Sequence, residues 1–194
     1  MKKKILVIDG HPDRDRNRFQ HALMGAYVEA ARAAGHDVRT LAVSEMTFPL
    51  LSGVEEFERG TPPAAIAAAQ QSVGWADHLV IGFPLWLGGA PAKLKGFFEQ
   101  LFRPGFAFEA KGTRLPRRLL RGKSARLVVT MGMPSIFFEL VYRAHGTKAV
   151  ERNILAFCGF KPVRSTLIGG LGNMPDARRA AWLGKLARFG SKAT

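Results

Sequence analysis

Three short stretches of the chain hold most of the residues that can do chemistry. The first, "DGHPDRDRNRF" (9 to 19), sets His11, Arg14, Arg16, Asn17 and Arg18 directly ahead of a helical pattern. Unpaired N–H groups and the helix dipole favour an anion at such a point, so a phosphate group suits it. It carries neither the glycine fingerprint of a dinucleotide fold nor a P-loop, and Asn17 as a plain helix cap among solvated arginines fits the same residues. The second, "FPLWLGGAP" (83 to 91), must present Pro84, Leu85, Trp86 and Leu87 as an apolar wall with a line of backbone amides. Gly88 and Gly89 permit close approach or unusual dihedrals, and Pro91 fixes the start of the next helix. A flat aromatic ligand would lie against that wall; a cap on the core or a subunit interface would use it as well. In the third, "TMGMPS" (130 to 135), Thr130, Met131 and Gly132 end a buried strand, where open amides can bond ring carbonyls and stabilise charge on a reduced ring.

These stretches acquire meaning from the elements that carry them. "KILVID" (4 to 9), "HLVIGF" (78 to 83), "ARLVVTM" (125 to 131) and "VRSTLI" (163 to 168) are continuous apolar runs, the mark of strands buried on both faces of a parallel sheet. The more mixed "DVRTLAV" (37 to 43) suits a strand nearer an edge. Between them, Phe19, Ala22, Leu23, Ala26 and Ala30 recur at helix spacing and Gly35 stops the run. Thr61 and Pro62 read as cap and first turn of an alanine-rich helix, and Leu94, Phe97, Phe98, Leu101 and Phe102 form a helical stripe. Further helices are expected near 144 to 157 and 175 to 189. Strands alternating with helices join by right-handed crossovers, which predicts an α/β three-layer sandwich with a five-stranded parallel sheet. With no second mononucleotide half, the expected order is 2-1-3-4-5, and all three loops then lie at the carboxyl ends of strands 1, 3 and 4.

Residues 1–194 read as a single domain with one core, since no repeat, low-complexity tract or linker divides them. The apolar stretch after "MKKK" ends at Asp9, too early for a secretory signal, and Leu79 to Ala92 is shorter than the roughly 18 apolar residues of a membrane helix. The lone Cys158 excludes an internal disulfide and suits a reducing cytoplasm. The five histidines are scattered, so no metal site is expected. A net charge of +14 attracts anions without naming them. Seven basic residues fall between Arg103 and Lys123, with Glu109 the only acid there; a solvated loop and a phosphate guide account for them equally. Nucleic acid is not an expected partner, because aromatics are interleaved with these charges only at Phe106 and Phe108.

The blocks "FPLWLGGAPAKLKGFFEQLF", "ILVIDGHP", "VVTMG", "RAHG" and "FCGFKP" resemble, in order and over nearly the whole chain, the flavodoxin-like NAD(P)H:quinone oxidoreductases. The resemblance implies a flavodoxin-like fold, a bound flavin (FMN, with FAD as the alternative) and NAD(P)H as co-substrate. It implies ping-pong passage of a hydride to a quinone-like acceptor, or to an azo or nitro acceptor by the same chemistry. By position, His11, Arg18, Phe19 and Gln20 match the segment around the flavin phosphate and ribityl tail. Pro84, Leu85, Trp86 and Leu87 match the loop along the ring edge, Thr130, Met131 and Gly132 the turn beneath the ring, and His145 a histidine proposed to assist charge relay. A homodimer with sites near the interface is also implied, and Phe97 to Phe102 with the 103 to 124 segment look like more apolar surface than one core needs. Three departures stand out. Arg18 replaces a serine, "TMGM" replaces a Thr-Thr-Gly-Gly turn, and no tyrosine accompanies His145 at the family's spacing. A non-enzymatic flavodoxin-type carrier or a regulatory flavin-binding subunit is the rival reading; carriers are typically acidic, which this chain is not.

Overall fold

Residues 2–109 and 116–194 are described by the computed structural model. In chain order the strands are β1 (Lys4–Asp9), β2 (Asp37–Ala42), β3 (His78–Pro84), β4 (Phe108–Glu109), β5 (Arg117–Arg118), β6 (Ser124–Thr130) and β7 (Val163–Ile168). Five of them form a parallel sheet in the order β2-β1-β3-β6-β7. This is the expected 2-1-3-4-5, the numbering offset only by the short antiparallel pair β4–β5. Every residue of β3 is buried, which is why its sequence is apolar without alternation, whereas β2 at one edge is half-exposed and mixed.

Helices α1 (Phe19–Ala33) and α7 (Asp176–Lys192) cover one face of the sheet, where Ile5, Val7, Val80 and Val128 meet Leu23, Tyr27 and Leu186. The other face, through Leu6, Ile8, Leu79 and Ile81, packs on α3 (Ala64–Trp75), α4 (Ala92–Leu101) and the stretch around Val150 and Leu155. Two short helices, α2 (Val54–Arg59) and α5 (Ser135–Leu140), were not anticipated. The single helix expected over 144 to 157 is α6 (His145–Lys148) followed by a π-helical stretch, Ala149–Ala156. Helix α3 begins at Ala64, after Pro63, and not at Thr61–Pro62. A residue preceding a proline is driven out of the helical region, so Pro62 cannot start the helix while Pro63 follows it.

One expectation is corrected. Phe97, Phe98, Leu101 and Phe102 are all buried in this chain's own core, so they present no surplus surface to a partner. The basic segment is also partly structural. Buried Arg103 donates to the Gly60 carbonyl and to Gln100 Oε1, and Lys123 donates to the carbonyls of Gly74 and Ala76 at the end of α3. Lys111 and Arg114 lie outside the described residues. Among the described residues no helix is long and apolar enough to cross a membrane, and no group of three or more metal-ligating side chains is present.

Candidate functional site

The parallel register brings the three loops together. Gly10 N–H donates to the Gly82 carbonyl at 2.7 Å, joining the ends of β1 and β3, and Leu85 N–H donates to the Thr130 carbonyl at 2.7 Å, joining β3 and β6. Above these ends the His11 ring meets the Trp86 ring edge-on, centroids 6.3 Å apart. His11 and Trp86 therefore stand together over the carboxyl ends of β1, β3 and β6, as the strand order requires.

In the first loop, Arg18 is the residue ahead of α1, its side chain makes no capping bond, and no acid sits in the first turn. His21 N–H already donates to the Arg18 carbonyl at 3.0 Å, so the N–H groups of Phe19 and Gln20 are the ones left for an outside acceptor at the start of this 15-residue helix. His11 stands beside them, buried, with Nδ1 accepting the Asp13 N–H at 3.0 Å. That bond leaves the remaining proton on Nε2. Burial, then the neighbouring His21, lowers its pKa below the ordinary 6.5 against the pull of Asp9 and Asp13, so the ring is a neutral donor. Arg18 itself is paired with Asp13 and Asp15 and half-exposed, so the expected phosphate ligand already has two carboxylate partners. Asn17 does not cap the helix; its N–H donates to Asp15 Oδ1.

Two residues here escaped the reading of the sequence. His21, on the buried side of α1, faces the Asp9 carboxylate with Nδ1 and the Asp13 carbonyl with Nε2. Asp9 in turn accepts the His11 N–H at 3.1 Å. The pair ties the strand end, the loop and the helix start into one unit. Their signal was slight: an acid ending an apolar strand, and a histidine twelve residues later on a helical stripe.

In the second loop, Trp86 and Gly89 exchange backbone hydrogen bonds of 3.0 and 2.9 Å around Leu87 and Gly88, whose φ values are 46° and 78°. Two successive positive φ angles make the inner turn type usually reserved for Asn-Gly or Gly pairs. Leu87 is fully exposed and Trp86 is 52% exposed, while Pro84 is buried in β3 and Leu85 half-buried. The N–H groups of Leu85 and Trp86 are both engaged, which shortens the expected line of free amides. The close approach foreseen at the glycine pair is real, and its occupant is protein: a β-carbon on Gly146 would overlap the Gly88 carbonyl oxygen. Gly146 adjoins His145, which is exposed and follows Arg143 and Ala144, themselves at φ 50° and 51°. The His145 segment thus leans on the Trp86–Gly89 turn, and three of the four non-glycine residues with positive φ among the described residues, Leu87, Arg143 and Ala144, gather at this mouth, the fourth being Ala193 at the end of α7.

The third loop is more closed than expected. Thr130 Oγ1 and the Gln20 amide bond each other at 2.8 Å, and Gln20, 2% exposed, also reaches the Val128 carbonyl. Room for that amide comes from Gly82, where any side chain would strike it. Met131 is buried and gives its N–H to the Ile168 carbonyl at 2.9 Å; Gly132 alone of the three is exposed. Phe19 is half-buried with the Arg179 guanidinium over its ring. The structure thus leaves His11, the start of α1, Trp86, Leu87, Gly132 and His145 facing the site, and turns Gln20, Thr130 and Met131 inward.

A doubly covered parallel sheet with its open site at the topological switch point defines an α/β protein of the flavodoxin type. The chain belongs to the family whose model is described as "Flavodoxin-like fold", which matches residues 3–192. It is 29% identical over 202 residues to NAD(P)H dehydrogenase [quinone] 1 of Rattus norvegicus, covering 91% of this chain and 72% of the rat protein. It is 33% identical over 148 residues to an FMN-dependent NADH:quinone oxidoreductase of Ruegeria pomeroyi, covering 67% and 71% respectively. Among solved structures, NAD(P)H:quinone oxidoreductase from Methanothermobacter marburgensis superposes with a TM-score of 0.82 at 25% identity over the full length of both chains.

Proposed function

We propose that this chain is an NAD(P)H:quinone oxidoreductase that binds FMN at the carboxyl ends of β1, β3 and β6 and transfers a hydride to a quinone-like acceptor by ping-pong exchange. One observation carries the reading: the neutral donor His11, in the loop that leads into the uncapped start of α1, has its ring 6.3 Å from that of the half-exposed Trp86. A phosphate and a flat ring need these two features side by side, and the names of the related quinone oxidoreductases support the activity. When bound, FMN supplies the two-electron chemistry, so the protein needs no nucleophile or metal of its own.

The chain's residues then have separate tasks. The first-turn N–H groups of α1 and His11 Nε2–H hold the phosphate; the Asp9–His21 pair keeps that loop in shape. Trp86 and Leu87 would shield a bound ring from water, and the exposed Gly132, just beyond β6, would leave room for it. His145, exposed at the mouth, would be the imidazole beside the acceptor. Ile136, Phe137, Leu140, Val141 and Tyr142 are exposed beside it, and their apolar surface supports a homodimer that closes the site. The single buried cysteine suits a cytoplasmic protein.

The test is direct. Purified protein should be yellow, heat should release a pigment with the mass of FMN, and NAD(P)H should be consumed on adding a quinone. Protein that stays colourless with excess FMN and FAD removes the proposal. Protein that binds FMN yet leaves NAD(P)H unoxidised is an electron carrier instead.

A further inference from the structure

The amino-terminal edge of the sheet is the end opposite the candidate site: β3 enters at His78 and leaves at Pro84, about 20 Å away at the rise of a strand. There Lys3, His78, Ser124, Arg164, Ala193 and Thr194 border a cleft of about 220 Å3. Side chains on one face of a strand recur every second residue, so Arg126 and Thr166 follow Ser124 and Arg164 on the same face.

The side-chain charges around this cleft are one-sided: among the described residues no Asp or Glu side chain lines it. Lys3 Nζ donates to the Ala193 carbonyl at 3.0 Å, and Arg126 lies over the Phe189 ring while donating to Thr166 Oγ1 at 2.7 Å and to the Thr194 oxygen at 2.6 Å. Those backbone oxygens end α7 and account for two of the three cations. Arg164 is exposed and has no side-chain hydrogen bond or ion pair among the described residues. The nearest acid, Asp77, accepts the Lys4 N–H, and Lys123 is engaged by the carbonyls of α3.

His78 records the result. It is 3% exposed; Nδ1 is 2.8 Å from Ser124 Oγ, and Nε2 has no partner. A buried polar nitrogen left without a partner is uncommon and costly. Burial, then the positive charges of Lys3, Arg126 and Arg164, push its pKa down to about 3. Nε2 is itself closed off from solvent, so the ring senses the positive field of the cleft, which an anion there would relieve, without touching what the cleft holds.

We propose that this cleft is a binding site for a small phosphate, either inorganic phosphate or a phosphomonoester, held by Arg164 and Lys3 over the buried His78 ring. A dianion suits three converging cations better than a carboxylate does, and a guanidinium can take two phosphate oxygens at once. The site is separate from the proposed FMN phosphate cradle and stands whether or not that reading holds.

The experiment uses the full chain with whatever flavin it retains after free FMN is removed, at pH 7.5 and constant ionic strength maintained with sodium chloride. Inorganic phosphate and glycerol 3-phosphate are titrated in separate arms, followed by calorimetry and by carbon-detected shifts of the histidine rings. One saturable event per chain should move the His78 signals and leave those of His11 and His145 in place. Arg164→Gln, a change at an exposed residue, should weaken it at least tenfold, and Arg59→Gln, on α2 beside α4 and so across the sheet, should not. Saturation by phosphate alone marks the free ion as the ligand, by glycerol 3-phosphate alone a monoester. No saturable movement of His78, or equal binding by Arg164→Gln, overturns the proposal.

Discussion

Leu87 holds φ at 46° with its side chain wholly in solvent, a conformation that costs an L-residue about 1–2 kcal/mol and gains nothing from burial. Replacing it with glycine removes the strain but also the wall it forms beside Trp86. Leu87→Gly should therefore leave stability unchanged or raise it by up to about 1 kcal/mol in urea unfolding, while raising the KM for a quinone. A drop in stability would mean the leucine packs on something in the working protein, a partner subunit being the natural candidate. Cys158 is the opposite case, a reactive residue type kept inert. Burial pushes its thiol up to about 12, and the thiolate is the form that reacts. Native protein should resist a thiol-reactive disulfide for hours, and the full equivalent should react once urea unfolds it. Fast labelling of the native state would show that the pocket bordered by Phe98, Phe102 and Phe157 opens readily.

At the scale of elements, the contact between Gly146 and the Gly88 carbonyl couples two loops that are far apart in sequence. Gly146→Ala has no side chain to move out of the way, because the obstacle is backbone, so the Trp86–Gly89 turn must shift. The expected cost is about 1–3 kcal/mol in urea unfolding, with a change in Trp86 fluorescence; an unaltered emission spectrum would show the turn did not move. The same contact marks where the sequence stopped being informative. Strands β1, β3 and β6 were legible because burial on both faces removes polar residues from the run, and α1 and α4 because their stripes repeat at helical spacing. The π-helical stretch over 149–156 and the double proline before α3 were not, since both depend on local geometry that composition does not encode. The candidate site divided in the same way. His11 and Trp86 were found from loop chemistry and strand order, but whether Gln20, Thr130 and Met131 faced the ligand or the core depended on which hydrogen bonds the packed sheet had already claimed. The Asp9–His21 pair went unseen because neither residue signals its partner.

For the molecule as a whole, excess positive charge and buried histidines push stability the same way with pH. In the folded chain His78 stays neutral down to about 3, whereas in the unfolded chain it takes up a proton near 6.5, so the unfolded state binds the extra proton between these values. His11 is also held below 6.5 by burial and by His21, and adds in the same sense. Stability should be complete above pH 6.5 and fall as the pH drops towards 3, His78 alone contributing up to about 1.4 kcal/mol per pH unit. Asp13 and Glu56, held below the usual carboxylate value by backbone N–H groups, act lower still, losing their contribution as the pH falls through their own range. Urea unfolding at pH 7.5 and pH 4.5 should therefore show a loss roughly 2–3 kcal/mol larger for the wild type than for His78→Gln, which has no proton to gain. Parallel curves for the two proteins would mean that His78 reaches water or a counter-charge in the folded state. Because a bound phosphate would supply that counter-charge, saturating the amino-terminal cleft should raise the pH midpoint of His78 and flatten the acid limb of the wild-type curve alone. The two measurements thus read the same cationic cluster from opposite directions.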